Sequence, residues 1–248
     1  MHNPFSLIGK TILVTGASSG IGRSIAIECS KLGANLIITG RNEDRLRETL
    51  LHLQSSEHQY IVADITIEED IENLVKQLPI VNGCVHSAGI LGLTPIQAIT
   101  QRKINEFEQI NLHAPILLTK QLLKQKKLAK NSSVVFVSSA AGVFRVSIAN
   151  SIYAITKSGL DAFMRSAALE LASKGIRFNS VNPAMIETES LSNIPISEEQ
   201  KNSNLAQYPL NRYGRPEEVA YATIYLLSDA SAWTTGTEIK LDGGLTLS

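Results

Sequence analysis

Tyr153 and Lys157 stand four residues apart in Tyr153-Ala154-Ile155-Thr156-Lys157, which puts a phenol and an ammonium on one face of a helix. A cation beside a phenol favours phenolate and lowers its pKa, so such a tyrosine can shuttle a proton near neutral pH. The pair alone is common by chance. Ser138 and Ser139 strengthen it, because they close an apolar run 15 and 14 residues earlier and bring a hydroxyl to the edge where the helix begins.

A second group of residues suits a phosphate. Thr15-Gly16-Ala17-Ser18-Ser19-Gly20-Ile21-Gly22 comes directly after an apolar run and opens into a helical pattern. Gly16, Gly20 and Gly22 let the backbone approach a pyrophosphate, and the free amides of a helix start attract the anion. The spacing is looser than G-x-G-x-x-G, but the strand–turn–helix setting points to a dinucleotide. Proteins that bind the adenosine ribose 2′-hydroxyl place an acid at the end of the second strand. Gly40-Arg41-Asn42 stands there instead, with no acid before Glu43. A guanidinium forks onto a 2′-phosphate, so NADPH is the expected cofactor and a solvated Arg41 the plain alternative. Asp64, after the third run, accepts from an adenine amino group or caps the next helix through Asp64-Ile65-Thr66. An oxidised nicotinamide would add to the positive field that lowers the Tyr153 pKa.

Strand candidates are 11–15, 35–39, 59–63, 83–86, 134–138, 177–181 and 238–241. Most are apolar on successive residues, as strands covered on both faces are. Between them lie helical patterns: Ile21, Ile25 and Cys29 share one face, as do Leu46, Leu50 and Leu53. Longer helices are expected over 101–127 and 152–174. A later one, over 216–227, starts at Pro216 beside Glu217 and Glu218, which suit a helix N-terminus. This alternation predicts an α/β fold, a single Rossmann-type doubly wound parallel sheet of about seven strands with helices on both faces. The polar stretch 187–210 comes after a strand's carboxyl end, where ligands bind in such sheets, and is expected to be a lid.

The 248 residues predict one dinucleotide-binding and catalytic domain over 1–248, large enough to bury roughly 70% of its unfolded surface without disulfides or metal. Apolar residues make up 44% and charged residues 19%, with 23 acids balancing 23 bases. That balance argues against a nucleic-acid partner, and no apolar stretch is long enough for a membrane span. The N-terminal Met1-His2-Asn3-Pro4-Phe5 lacks the pattern of a secretory signal. Two cysteines, Cys29 and Cys84, lie in apolar elements and are expected to be buried free thiols in a reducing cytoplasm.

The ordered motifs resemble the short-chain dehydrogenase/reductase family over essentially the whole chain. Thr15–Gly22 is similar to its TGxxxGxG, and Tyr153 with Lys157 to its YxxxK. Asn111 stands where the family's helix asparagine supports a proton relay. The stretch from Asn179 through Pro183, Ala184, Ile186 and Thr188 resembles VNPGxxxT. Gly214–Ala220 and Leu241–Gly244 resemble its C-terminal blocks. The nearest likeness is to the β-ketoacyl-acyl-carrier-protein reductases.

The resemblance implies roles. Tyr153 is the general acid/base at the ketone oxygen, Lys157 binds the nicotinamide ribose, Ser139 polarises the carbonyl and Asn111 holds a relay water. Ser139 is favoured over Ser138 because Ser139-Ala140-Ala141-Gly142 is similar to the family's Ser-x-x-Gly, and adjacent strand residues face opposite ways. Gly16, Ser18, Ser19, Gly20, Ile21, Gly22, Arg41, Asp64, Ile65, Ala88, Gly89, Tyr153, Lys157, Pro183, Ala184, Ile186 and Thr188 are the implied cofactor contacts, and no metal is expected. Two departures stand out. His86-Ser87-Ala88-Gly89 replaces Asn-Asn-Ala-Gly, with His86 expected to be structural, and Ala184 replaces a glycine.

The implied activity is NADPH-dependent reduction of a ketone or acyl thioester, as in a 3-oxoacyl reductase. A dehydrogenase of a sugar, steroid or polyol is the second enzymatic reading, and a silent dinucleotide-binding sensor is the third. The substrate pocket is expected at 91–95, 144–150 and the lid, with Arg145 a solvated loop charge. An acyl carrier protein could dock at Lys130 and Lys174. A homotetramer is also implied, with Leu160, Phe163, Met164 and Ala168 expected to be buried against another subunit.

Overall fold

The computed structural model describes residues 3–54, 57–189 and 197–247. Its strands are β1 (Thr11–Thr15), β2 (Asn35–Gly40), β3 (Gln59–Val62), β4 (Val81–His86), β5 (Leu128–Val137), β6 (Arg177–Pro183) and β7 (Glu238–Leu241). They form one seven-stranded sheet in the order β3-β2-β1-β4-β5-β6-β7, and every pairing is parallel. The strand order reverses between β1 and β4, the place where such sheets open a crevice at their carboxyl ends.

Helices cover both faces: α1 (Gly20–Lys31), α2 (Glu43–Leu51), α3 (Glu68–Gln77), α4 (Gln101–Glu108), α5 (Ala114–Lys124), α6 (Ser151–Leu171), α7 (Glu198–Leu205) and α8 (Pro216–Leu227). On one face Ile25 and Cys29 of α1 and Val219 and Ile224 of α8 pack on Ile12, Val14, Leu36 and Ile38. On the other, Leu74 of α3, Leu118 of α5 and Leu160 and Met164 of α6 pack on Leu13, Cys84, Val134 and Phe136. Alternate residues of one strand thus feed two cores, which is why the strands read as unbroken apolar runs. Cys29 and Cys84 are free and buried, and burial pushes both thiols far up. No helix among the described residues is long and apolar enough to cross a membrane.

Four expectations need correction. The helix expected over 101–127 is interrupted: Gln109–His113 is a π-helical turn between α4 and α5. Pro115 in the first turn of α5 has no N–H to continue the preceding ladder. The chain then turns through Lys126 at φ 54°, and β5 starts at Leu128, six residues earlier than expected. Asp64 does not cap α3, whose N-cap residue is Ile67; its carboxylate accepts instead from the amide and hydroxyl of Thr66. Finally, Leu160, Met164 and Ala168 are buried within the chain's own core, with Phe163 packed beside them. They give no support to a subunit interface.

Of the stretch 187–210, residues 190–196 lie outside the described residues. Helix α7 occupies its second half, with its start held by a capping box between Ser197 and Gln200.

Candidate active site

The carboxyl ends of the strands gather the residues that sequence spacing singles out. Ser138 and Ser139 come directly after β5 and point apart. Ser138 Oγ turns inward and donates to Asp161 Oδ2 at 2.8 Å. Ser139 Oγ accepts from the Ala141 amide at 3.1 Å and lies on the side of the Tyr153 phenol, close enough to help hold its pKa down. Ser139 is therefore the hydroxyl that meets Tyr153, as the alternation of a strand requires. Lys157, one turn beyond Tyr153 on α6, has its Nζ 5.8 Å from the Tyr153 ring centroid and donates to Val137 O at 2.8 Å.

The electrostatics differ from expectation in one respect. Burial raises the Tyr153 pKa, and the nearby Ser139 hydroxyl only partly offsets this. The lowered pKa expected from the neighbouring ammonium is absent because that ammonium is turned to Val137 O and is itself costly to keep charged. Burial presses Lys157 from 10.5 to about 8. A neutral phenol beside a cation is the state of a proton donor.

The turn after β4 holds without the family's two amides. Thr15 Oγ1 accepts from the amides of Ser87 and Ala88 at 3.1 and 3.2 Å. Asn111, presented by the π turn, accepts from Ile90 N at 2.8 Å and donates to Ile90 O at 3.0 Å. Its side chain thus holds this turn over Lys157; a Cβ on Gly89 would lie 2.9 Å from Asn111 Oδ1 and 3.6 Å from Lys157 Nζ. His86 is 3% exposed, stacked on Phe136 at 4.8 Å between ring centroids. Its Nε2 lies 3.0 Å from Thr119 Oγ1. Because that hydroxyl donates to Pro115 O, Nε2 carries the proton. Burial lowers the His86 pKa from 6.5 to about 3. It is a core residue, as expected.

The β1–α1 turn fits a pyrophosphate. Gly16 and Gly20 have φ of +66° and +52°, and a Cβ on Gly22 would stand 2.4 Å from Gly16 O. Ser19, the N-cap residue of α1, makes no side-chain cap. The first-turn amides of Gly20, Ile21 and Gly22, which no helix pairs internally, therefore suit an anion. Thr188 closes over this turn, its Cγ2 3.4 Å from where a Gly20 Cβ would be. Ser18 Oγ reaches the end of β2, 3.4 Å from a Cβ built on Gly40. The Gly22→Ala substitution is expected to cost about 2 kcal/mol and roughly 4–8 °C in Tm, because backbone and not a flexible side chain meets the new methyl. Calorimetry checks this, and an unchanged Tm would show that the turn yields.

Arg41 is exposed after β2, and Asp64 Oδ2 stands 3.8 Å from its Nη1. A carboxylate is thus close to the expected phosphate position, although none stands between Gly40 and Glu43 in sequence. Ile65 and Ile186 are 6% and 8% exposed and pack in the two cores. Pro183 ends β6, and the Ala184 amide donates to Leu241 O at 2.9 Å, which ties the backbone beside the departing methyl. Arg145 is not a free loop charge: it donates to Leu245 O at 3.3 Å and Gln207 Oε1 at 2.8 Å. Lys130 and Lys174 share a groove with Leu128, Ala129 and Ile176. That groove lies at the opening end of β5, the opposite end of the strand from Ser139. Among the described residues no three His, Cys, Asp or Glu side chains group as metal ligands.

Sequence reasoning missed Thr15, Asp161 and Asn182. Asp161 carried a signal, since it continues the four-residue spacing of Tyr153 and Lys157.

Known proteins resemble this chain over nearly its whole length. A family model described as enoyl-(acyl carrier protein) reductase matches residues 16–246. A 3-oxoacyl-[acyl-carrier-protein] reductase of Rickettsia felis is 31% identical over 239 residues, covering 96% of this chain and 98% of the relative. L-xylulose reductase of Caenorhabditis elegans is 34% identical over 246 residues, covering 97% of each. A short-chain type dehydrogenase/reductase structure from Mycobacterium ulcerans superposes with a TM-score of 0.89 at 31% identity, covering 98% of this chain and 91% of the other. Sheet order, motif order and chain-long similarity agree, and the protein belongs to the short-chain dehydrogenase/reductase family of oxidoreductases.

Proposed function

We propose that the protein is an NADPH-dependent ketoreductase that forms a secondary alcohol, with 3-oxoacyl thioesters as its substrate class. The observation that carries the reading is the Tyr153 phenol set near the Ser139 hydroxyl with the buried Lys157 ammonium 5.8 Å from its ring centroid. Gly16, Ser18, Ser19, Gly20, Ile21 and Gly22 would hold the pyrophosphate, Arg41 the 2′-phosphate and Lys157 the nicotinamide ribose. Bound there, the nicotinamide supplies the hydride for the carbonyl carbon. Tyr153 gives its proton to the carbonyl oxygen as negative charge develops there, and Ser139 orients that oxygen by donating to it. The phenolate that remains is stabilised by Lys157.

An apolar acyl chain is favoured by the two loops beside the site. Leu91 and Leu93 after β4, and Val146 and Ile148 after β5, are exposed, and the loops are joined by Thr94 N donating to Ala149 O. The similarity to L-xylulose reductase favours a second reading, a sugar ketone. Following NADPH oxidation with an acetoacetyl thioester and with xylulose separates the two. Turnover of the thioester is expected; turnover of the sugar alone would replace the first reading with the second.

The cofactor is tested through Arg41. A charge-assisted hydrogen bond contributes ~1.5–3 kcal/mol. The guanidinium's exposure and the nearby Asp64 reduce that, so Arg41→Ala is expected to weaken NADPH binding by about tenfold and NADH binding by much less. Fluorescence titration gives both constants. Equal losses for the two nucleotides would make Arg41 a solvated charge.

A further inference from the structure

Behind Tyr153 and Lys157 lies a buried polar cluster that the proton transfer does not itself use. Asp161, one turn beyond Lys157 on α6, is fully buried. Its Oδ2 accepts from Ser138 Oγ at 2.8 Å and from Asn182 Nδ2 at 2.9 Å. Asn182, near the end of β6, is held in turn by Ser180 Oγ, which donates to its Oδ1 at 2.8 Å. The same Asn182 amide donates to the backbone carbonyl of Ser139 at 3.2 Å. Asp161 Oδ1 is equally buried and finds no partner among the described residues. A carboxylate with half its acceptors unpaired in a dry interior is costly, and apolar replacement of buried ionic clusters is often neutral or stabilising. Stability alone gives no reason for this group to be here. Its neighbours do.

We propose, resting on the reading of Tyr153 and Lys157 above, that Asp161 is a positioning residue: its carboxylate is the counter-charge of the buried Lys157 ammonium and, through Asn182, fixes the backbone of Ser139. Among the described residues, the titratable groups that face Lys157 are Tyr153 and Asp161 of its own helix. The end of β5, the turn at Gly89 and the π turn at Asn111 present only hydroxyls, amides and backbone. Burial drives Lys157 towards its neutral form, and Asp161 is the charge that opposes this. Burial also raises the Asp161 pKa, while the Ser180, Ser138 and Asn182 side chains and the Lys157 charge hold it down. Carboxylate and ammonium thus sustain each other's ionisation. Without the carboxylate, Lys157 would be a poorer ligand for ribose hydroxyls and a poorer partner for a phenolate.

The test is Asp161→Asn, which retains an oxygen to accept from Ser138 and Asn182 but removes the charge. In protein labelled at lysine Cε and without added nucleotide, the Lys157 resonance is identified by its loss in Lys157→Met. Its NMR titration midpoint, expected near 8 in the wild type, should fall by roughly one pH unit in Asp161→Asn. The alkaline limb of kcat/KM should move with it. Turnover at pH 9 then drops about tenfold, since one pKa unit is a tenfold change in the ionised fraction there, while turnover below pH 6.5 stays within about twofold. If Asp161→Asn does not fold, Asp161→Ser removes the same charge and should move the midpoint the same way. An unmoved midpoint in the variant that folds overturns the inference, as does a moved midpoint with an unmoved kinetic limb. Neither outcome touches the reading of Tyr153, which fails separately if Tyr153→Phe keeps more than about a hundredth of wild-type turnover.

Discussion

Replacing Tyr153 by Phe is expected to lower turnover by about 10²–10⁴-fold, the usual contribution of a general acid, while dinucleotide affinity stays within a few-fold of wild type. The reason is where each atom sits. The deleted hydroxyl is the group that faces Ser139, whereas the ring that remains still fills the space beside Lys157. Lys157→Ala should differ in kind. It removes the group that donates to Val137 O and, in the proposed function, holds the ribose, so binding and turnover fall together. Single-turnover kinetics with a separate nucleotide titration distinguishes the two patterns. More than about a hundredth of wild-type turnover in Tyr153→Phe would end the assignment of the acid, and the surviving proton source would then have to be sought elsewhere.

Acid should unfold the protein through His86. This ring is neutral in the folded state, its pKa lowered by burial from 6.5 to about 3. Below pH 6.5 the unfolded chain therefore binds a proton that the folded one refuses. Stability rises with pH wherever the unfolded state binds more protons, so it is lost as pH falls from about 6.5 towards 3, by about 1.4 kcal/mol per unit from this group alone. His86→Asn removes that term. The substitution also removes the stack on Phe136, so the variant is expected to be less stable than wild type at pH 7.5. The gap between them should then close by roughly 2–3 kcal/mol on going to pH 4.5. Urea unfolding at both pH values reads the change directly, and the carboxylates common to both proteins cancel in the difference. A gap independent of pH would mean that His86 takes up its proton in the folded state.

Sequence by itself determined the sheet, its parallel sense and the carboxyl edge that carries the site. The reason is local: apolar runs covered on both faces, glycines where the backbone must approach a phosphate, and the one-turn spacing of Tyr153 and Lys157 are written in neighbouring residues. The strand alternation behind Ser138 and Ser139 could be read as well, since facing is fixed by parity along one strand. Tertiary structure alone decided what depends on segments far apart in the chain. The break in the helix at Asn111 goes with its side chain gripping Ile90, and β5 opens early to meet Val81. Asp64 approaches Arg41 because β2 and β3 are neighbours in the sheet, which no count of residues after Gly40 reveals. Leu160, Met164 and Ala168 looked surplus to a sheet-facing stripe, yet the chain's own core fills around them, because α6 packs against both the sheet and the helices beside it. The pKa values of Tyr153 and Lys157 belong to the same class. A charge spacing can be read from a sequence, but the desolvation that outweighs it is set by how much protein is packed around the pair.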